Sequence, residues 1–219
     1  MHGLGGRVLK SEILDTLPAE QARASLADLT RINRRWGGYG TLRQLLARVA
    51  RRDETFSLLD VGAASGDMGG KIREWYPRAR VTSLDRIVSH LDGAAGPRVA
   101  GDAFALPFRD RSFDFVFSSL FLHHFTDEEI VRLLREFARV ARREVLAIDL
   151  LRHPVAYYFL PATRWIFGWN WVTVNDGPIS VEAAFHPREL EELASRAGLR
   201  NAQARRRIPA FRIALAARV

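Results

Sequence analysis

The strongest constraint on the fold is an alternation of short apolar strands with helical segments between residues 56 and 149. Strand-like runs occur at 56–61, 80–84, 98–100, 113–119 and 144–149. In the fourth run, Phe115 and Phe117 point to one face and Val116 to the other. Strands that alternate with helices form a mostly parallel sheet covered by helices on both faces. The sequence therefore predicts an α/β fold with a doubly wound sheet.

The two ends of the chain add to this core. Segments 199–208 and 210–219 are strand-like and meet at Pro209, which predicts an antiparallel hairpin at the sheet edge and seven strands in total. The first 55 residues read as helices at 18–32 and 42–49, separated by a break at Trp36–Gly40. We predict a helical cap over residues 1–55 and a core over 56–219, with an aromatic insert at 150–185.

Composition excludes several classes of protein. The 219 residues suit one domain with additions, and the absence of cysteine excludes disulfide frameworks, zinc–thiolate sites and cysteine catalysis. No apolar run is long enough for a transmembrane helix, and the first residues lack the apolar core of a signal peptide, so we expect a cytoplasmic protein.

The net charge is +8. Because the arginines are scattered, we interpret this charge as compositional bias and expect no nucleic-acid partner.

A small-residue turn joins the first strand of the core to the next helix. Residues 58–67 read LLDVGAASGD, so Gly62 and Gly66 flank the turn. A phosphate-binding P-loop requires Gly-Lys-Ser/Thr at its end, whereas this turn ends Gly66-Asp67. The dinucleotide fingerprint requires glycine at its third and sixth positions, where this chain has Ala64 and Asp67. An acidic residue there would also repel pyrophosphate.

The remaining interpretation is a cationic nucleoside without phosphate. Segment 60–66 (DVGAASG) resembles the first motif of the class I S-adenosylmethionine (SAM)-dependent methyltransferases, with Ala64 in place of a glycine. Segment 81–85 (VTSLD) resembles their second motif, and segment 101–103 (GDA) their third. The runs at 106–108 and 112–116 resemble the approach to their fourth strand. The likeness covers about residues 56–149 and implies a Rossmann-like fold with SAM as the cofactor.

The resemblance also implies roles for particular residues. Asp85 would bind the ribose hydroxyls and Asp102 the adenine amino group. The complete set of cofactor residues that we expect is Asp60, Gly62, Ala63, Ala64, Ser65, Gly66, Asp85, Arg86, Asp102, Ala103 and Ser118.

Candidates for chemistry on the acceptor follow the fourth and fifth strands, since ligands of such sheets bind at the carboxyl ends of the strands. His123 or His124 could act as a general base because the pKa of histidine lies near neutrality. Asp149 is a second candidate. We expect no metal site, because adjacent histidines do not share a helical face and no carboxylate spacing completes a ligand set.

The segment from Tyr157 to Trp171 is dense in aromatic residues, which predicts a wall of an apolar pocket, a packed helical lid or dimer face, or a membrane-facing surface. By resemblance, the N-terminal helices would form the opposite wall. The substrate-binding residues that we expect are Asn33, Trp36, Tyr39, Tyr157, Trp165 and Trp169.

The sequence thus predicts a methyltransferase for a small apolar or aromatic acceptor, namely a phenol, quinol or polyketide-like enol. It leaves open an RNA methyltransferase, a SAM-binding module without turnover, and a lipid-modifying enzyme at a membrane surface. It also leaves open a homodimer.

Overall fold

A computed structural model describes residues 5–219, apart from the side chains of residues 15, 19 and 88. The first four residues of the predicted N-terminal cap lie outside this range. The helices are α1 (Ala19–Arg35), α2 (Gly38–Leu46), α3 (Asp67–Trp75), α4 (Asp127–Val140), α5 (Pro154–Phe167), α6 (Trp171–Ala183) and α7 (Pro187–Arg196). The strands are β1 (Ser57–Val61), β2 (Arg80–Asp85), β3 (Arg98–Ala100), β4 (Phe113–Ser119), β5 (Ala141–Leu150), β6 (Arg200–Arg207) and β7 (Arg212–Arg218).

The seven strands form one sheet in the order β3-β2-β1-β4-β5-β7-β6. Strands β1 to β5 pair in parallel, whereas β7 runs antiparallel to both β5 and β6. This confirms the predicted doubly wound sheet with an antiparallel hairpin at one edge. The order reverses between β1 and β4, and at such a switch point the loops diverge and leave a crevice for a ligand.

Two apolar layers cover the sheet. Val116 packs with α4 and α7, while Phe115 and Phe117 pack on the opposite face with α2 and α3. This is the alternation that the sequence predicts for β4. Because both faces are buried, the sheet is fixed and its carboxyl edge is a rigid platform for side chains.

Helix α4 begins where the sequence predicts. Thr126 accepts a hydrogen bond from the Glu129 amide, and the Glu129 carboxylate accepts one from the Thr126 amide, which completes a capping box. The apolar side chains of α4 then line its inner face at helical spacing: Ile130, Leu133, Leu134 and Phe137 are all fully buried.

The predicted break at Trp36–Gly40 is shorter than expected. Helix α1 ends at Arg35, and α2 already begins at Gly38. Gly37 adopts φ 85°, and a Cβ atom there would lie 2.6 Å from the Cβ of Ala210. One glycine with a left-handed backbone therefore makes the turn, and Gly38 and Gly40 are part of the next helix.

The insert at 150–185 forms helices α5 and α6, which contact each other, and α1 contacts α6. Backbone segment 7–14 runs along α6: the Val8 amide donates to Glu182 O at 3.1 Å, and the Ile13 and Leu14 amides donate to the Asp176 carboxylate. These elements lie outside the sheet and cover its carboxyl edge. Among the described residues, no helix is both long and apolar enough to cross a membrane.

Replacing Thr126 with alanine should lower the free energy of unfolding by about 1 kcal/mol, because the capping hydrogen bond at the start of α4 is lost. Urea denaturation of the two proteins measures this difference. Thr126→Ser keeps the hydroxyl and should stay close to the parent, so equal losses in both variants would contradict the capping explanation.

Candidate active site

A cavity of about 620 Å³ follows the carboxyl edge of the sheet. Its lining passes from Asp85 and Asp102, after β2 and β3, to Gly62 and Ala64, after β1. It continues to His123 and His124, after β4. Helices α1, α5 and α6 contribute apolar side chains such as Leu29, Phe159 and Val172. One continuous space therefore connects an acidic end to a histidine-containing corner.

The turn after β1 has an unusual backbone. Gly62, Ala64 and Gly66 have φ values of 68°, 43° and 70°. A Cβ atom at Gly62 would lie 2.5 Å from the Phe121 ring, and one at Gly66 would lie 2.4 Å from the Cβ of Ala94. Both glycines are thus required by conformation and by space, and Ala64 adopts the left-handed region in which most side chains are strained.

Two carboxylates line the acidic end of the cavity. Asp85 accepts hydrogen bonds from the Ala64 amide and the Ile87 amide, each at 3.0 Å. Asp102 accepts one from the Phe104 amide at 2.9 Å. These contacts fix both side chains and leave lone pairs on each carboxylate, which can therefore accept hydrogen bonds from ligand hydroxyl or amino groups.

A second acidic pair lies beside the turn. Asp60 is almost fully buried, and among the described residues its Oδ2 has no hydrogen-bond partner. Burial, reinforced by the nearby Asp67, raises the pKa of Asp60 to about 8. Asp67 accepts hydrogen bonds from the Tyr39 hydroxyl at 3.0 Å and the Asn33 amide at 3.3 Å. Neither Asp60 nor Asp67 lines the cavity, so this pair would affect a ligand only through the turn beside it.

The acidic end therefore suits a ligand with hydroxyl donors and a positive group, and it suits a phosphate poorly. S-Adenosylmethionine has ribose hydroxyls, an ammonium group and a sulfonium, so the residues present fit the cofactor that the sequence motifs imply.

The opposite corner is built around His123, which is buried. Its Nδ1 lies 2.6 Å from Asp149 Oδ1, and its Nε2 lies 3.6 Å from Glu12 Oε1. Asp149 is also fixed by the Leu122 amide, which donates to Oδ2 at 2.9 Å. Burial alone would lower the pKa of His123, but the two carboxylates outweigh it and raise that pKa to about 10.

Glu12 is the residue in this corner that sequence reasoning missed. It comes from the segment along α6, where Ser180 Oγ donates to its Oε1 at 2.6 Å, and His124 Nδ1 lies 4.0 Å from the same oxygen. No motif surrounds Glu12, and it follows no strand. Its neighbours along the chain are a mixture of polar and apolar residues, such as Lys10, Ser11 and Ile13, and nothing in that mixture singles out Glu12.

An aromatic cluster forms one wall. The Trp36 ring packs edge-on against Phe159, Phe167 and Trp169, with centroid distances of 5.6, 4.9 and 5.3 Å. Trp36 and Phe159 line the cavity. The cluster joins the end of α1 to the insert, so the two walls predicted from sequence are in fact one packed unit.

The structure brings only some of the predicted site residues to the cavity. Those that line it are Gly62, Ala64, Asp85, Arg86, Asp102, Ala103, His123, His124 and Trp36. Trp165 does not, since 84% of its surface is exposed, and Trp169 is buried behind Trp36. The predicted residues that lie outside the lining are Asp60, Ala63, Ser65, Gly66, Ser118, Asp149, Asn33, Tyr39, Tyr157, Trp165 and Trp169.

The comparison with protein families gives a match over residues 59–148 to the family described as "Methyltransferase domain". A demethylmenaquinone methyltransferase of Roseiflexus castenholzii is 38% identical over 91 residues, which is 38% of this chain and 37% of that protein. A malonyl-[acyl-carrier protein] O-methyltransferase of Coxiella burnetii is 36% identical over 85 residues, which is 39% of this chain and 29% of that protein. The chain thus aligns with less than half of the length of these relatives.

Solved structures share the fold. A SAM-dependent methyltransferase from Thermotoga maritima superposes with a TM-score of 0.64 at 14% identity, covering 91% of this chain and 97% of that one. The likeness extends beyond residues 59–148 and includes most of the helices and strands described above.

The buried Asp60 should make stability fall as pH rises. Its pKa is about 8 in the folded chain and near 4 when unfolded, so between these values the folded state holds the additional proton. The parent should therefore lose up to about 1.4 kcal/mol of stability per pH unit between pH 4 and 8, relative to Asp60→Asn. Urea denaturation across this range measures the difference. A difference independent of pH would contradict the raised pKa.

Proposed function

We propose that this chain, which carries a class I methyltransferase domain at residues 59–148, transfers a methyl group from S-adenosylmethionine to a small, mainly apolar acceptor. The observation that supports this proposal most strongly is the single cavity that connects the acidic end with the histidine corner. A donor and an acceptor held in one connected space can be aligned for in-line displacement.

At the acidic end, Asp85 would accept hydrogen bonds from the ribose hydroxyls and Asp102 from the adenine amino group. The turn 62–66 would lie against the methionine part, and Asp60 with Asp67 would act through that turn, because neither lines the cavity. Ala63, Ser65, Arg86, Ala103 and Ser118 complete the proposed cofactor set. When bound, the cofactor supplies a methyl group activated by a sulfonium. The chain's task is to hold that group toward the acceptor.

The acceptor would occupy the space between Trp36, Phe159 and the histidine corner. Apolar side chains such as Leu29, Phe159 and Val172 form most of this space, and polar side chains from α1, α6 and β7 interrupt it, among them Ser25, Thr173, Asp176 and Arg212. Such a pocket suits a flat apolar molecule with one reactive hydroxyl or carbon, so we propose a phenol, quinol or polyketide-like enol. The relative from Roseiflexus castenholzii, a demethylmenaquinone methyltransferase, supports a quinol as the first class to test.

The histidine corner would position the nucleophilic atom of the acceptor. His123 and His124 line the cavity, whereas Asp149 lies behind His123 and acts through it. We propose His123 and His124 as the residues that contact the acceptor, with Asp149 as a positioning residue. The outer positions Asn33 and Tyr39 would act through Asp67, and Trp169 would act by supporting Trp36.

The exposed side chains of Tyr158, Trp165 and Ile166 on α5, with Trp171 at the start of α6, form an apolar surface next to the cavity wall. A homodimer or a contact with a membrane surface would use these residues. Both stay predictions, as does a cytoplasmic location.

Replacing Asp85 with alanine should weaken binding of S-adenosylhomocysteine by about 1–3 kcal/mol, or roughly 5- to 150-fold, because charge-assisted hydrogen bonds to the ribose are lost. Calorimetric titration measures the affinity. Asp92→Ala is the matched control, since Asp92 is exposed on the same connection after β2. Unchanged affinity in Asp85→Ala would remove the ribose assignment.

Activity is tested by incubating the chain with S-adenosylmethionine and a panel of phenols, quinols and enols. We expect S-adenosylhomocysteine to form only when a suitable acceptor is present. A folded, cofactor-binding chain that produces none with any acceptor is a binding module. Production with RNA alone would instead favour the nucleic-acid alternative.

A further inference from the structure

Three possible ligand atoms converge at the histidine corner. Glu12 Oε1, His123 Nε2 and His124 Nδ1 all lie within 4.8 Å of one another. Glu12 Oε1 is 3.6 Å from the His123 nitrogen and 4.0 Å from the His124 nitrogen. These separations are slightly longer than those between ligands of one bound cation, so small side-chain movements would bring all three atoms to coordination distance.

The residues behind this trio orient it in the manner of a metal site. Asp149 holds His123 through Nδ1, which directs Nε2 toward Glu12. Asp149 is itself fixed by the Leu122 amide, and Ser180 Oγ holds Glu12. A carboxylate that binds the far nitrogen of a histidine is the usual outer partner of a metal-ligating imidazole, because it fixes the ring and increases its basicity.

We propose that Glu12, His123 and His124 bind a divalent transition-metal cation of the Zn²⁺ class. Two imidazoles and one carboxylate match the ligand preference of Zn²⁺ and Co²⁺, whereas Mg²⁺ prefers oxygen ligands and retains its waters. Three protein ligands leave at least one coordination position open, as in catalytic zinc sites. All three residues line the cavity, so the open position faces the proposed acceptor space.

A bound cation would lie between His123 Nε2 and Glu12 Oε1, which are 3.6 Å apart. It would polarise a hydroxyl oxygen of the acceptor and lower the pKa of that hydroxyl, which would release its proton to solvent. This role rests on the proposed methyltransferase function, whereas cation binding does not. The sequence spacing predicted no metal site because Glu12 lies far along the chain from the histidines.

Untagged, chelator-treated protein should be titrated with Co²⁺ and followed by visible absorption. We expect one equivalent to bind with the absorption of a low-coordinate Co²⁺ centre, Zn²⁺ to displace it, and Mg²⁺ to leave it unchanged. His124→Ala and Glu12→Gln should each weaken Co²⁺ binding by more than about 100-fold, since losing an outer partner alone costs about 10- to 100-fold.

Two controls match these variants. Glu192→Gln changes an exposed glutamate on α7, and His153→Asn changes a histidine at the start of α5 to another residue that can cap a helix. Both should bind Co²⁺ like the parent. Circular dichroism confirms that each variant is folded, and His124→Ala provides the test if Glu12→Gln disturbs segment 7–14.

The proposal is overturned if the folded parent binds no Co²⁺, or if binding persists undiminished in both ligand variants. S-Adenosylhomocysteine titration of the same metal-free parent reports on the proposed function separately. If the parent binds Co²⁺ but does not bind S-adenosylhomocysteine, the proposed methyltransferase function is rejected and the cation site is retained.

Discussion

The contact between Asp149 and His123 organises the histidine corner of the cavity. Asp149 is fully buried at the end of β5, and it satisfies its charge through His123 and through the amide of Leu122. A buried carboxylate must have such partners, because an uncompensated charge costs several kcal/mol. This requirement ties the turn after β4 to β5 and directs one imidazole into the cavity, where Glu12 approaches from a different part of the chain.

The acidic end depends on a different constraint, the backbone of the turn between β1 and α3. Gly62, Ala64 and Gly66, at every second position of this turn, have positive φ values, and the Ala64 amide donates a hydrogen bond to the Asp85 carboxylate. The strained backbone and the buried Asp60 Oδ2, which has no hydrogen-bond partner within residues 5–219, both raise the free energy of the folded chain. Such costs are common at ligand sites, where the bound molecule supplies the missing interactions.

The strands and the start of α4 are predictable because apolar alternation and helix capping depend on neighbouring residues in the chain. Strands β3 and β4 begin and end at the predicted residues, and α4 begins at its predicted cap. The sequence predicts a start of α2 at residue 42, whereas the helix begins at Gly38. One glycine with positive φ is enough for the turn, and the sequence does not reveal which of Gly37, Gly38 and Gly40 has that conformation. The sequence predicts a wall from the segment Tyr157–Trp171 but not that Phe159 is the side chain that lines the cavity, and it gives no signal for Glu12. Their positions depend on how the insert and the first residues pack over the sheet, and no periodicity encodes that packing.

The two ends of the cavity differ in what surrounds them. The acidic end is made by strand termini and the turn that follows β1, so its backbone is part of the packed sheet. The wall around Trp36 and Phe159 is made by helices that only rest on this platform. Substitutions in that wall can therefore change the shape of the cavity while the strand termini at its acidic end stay as they are.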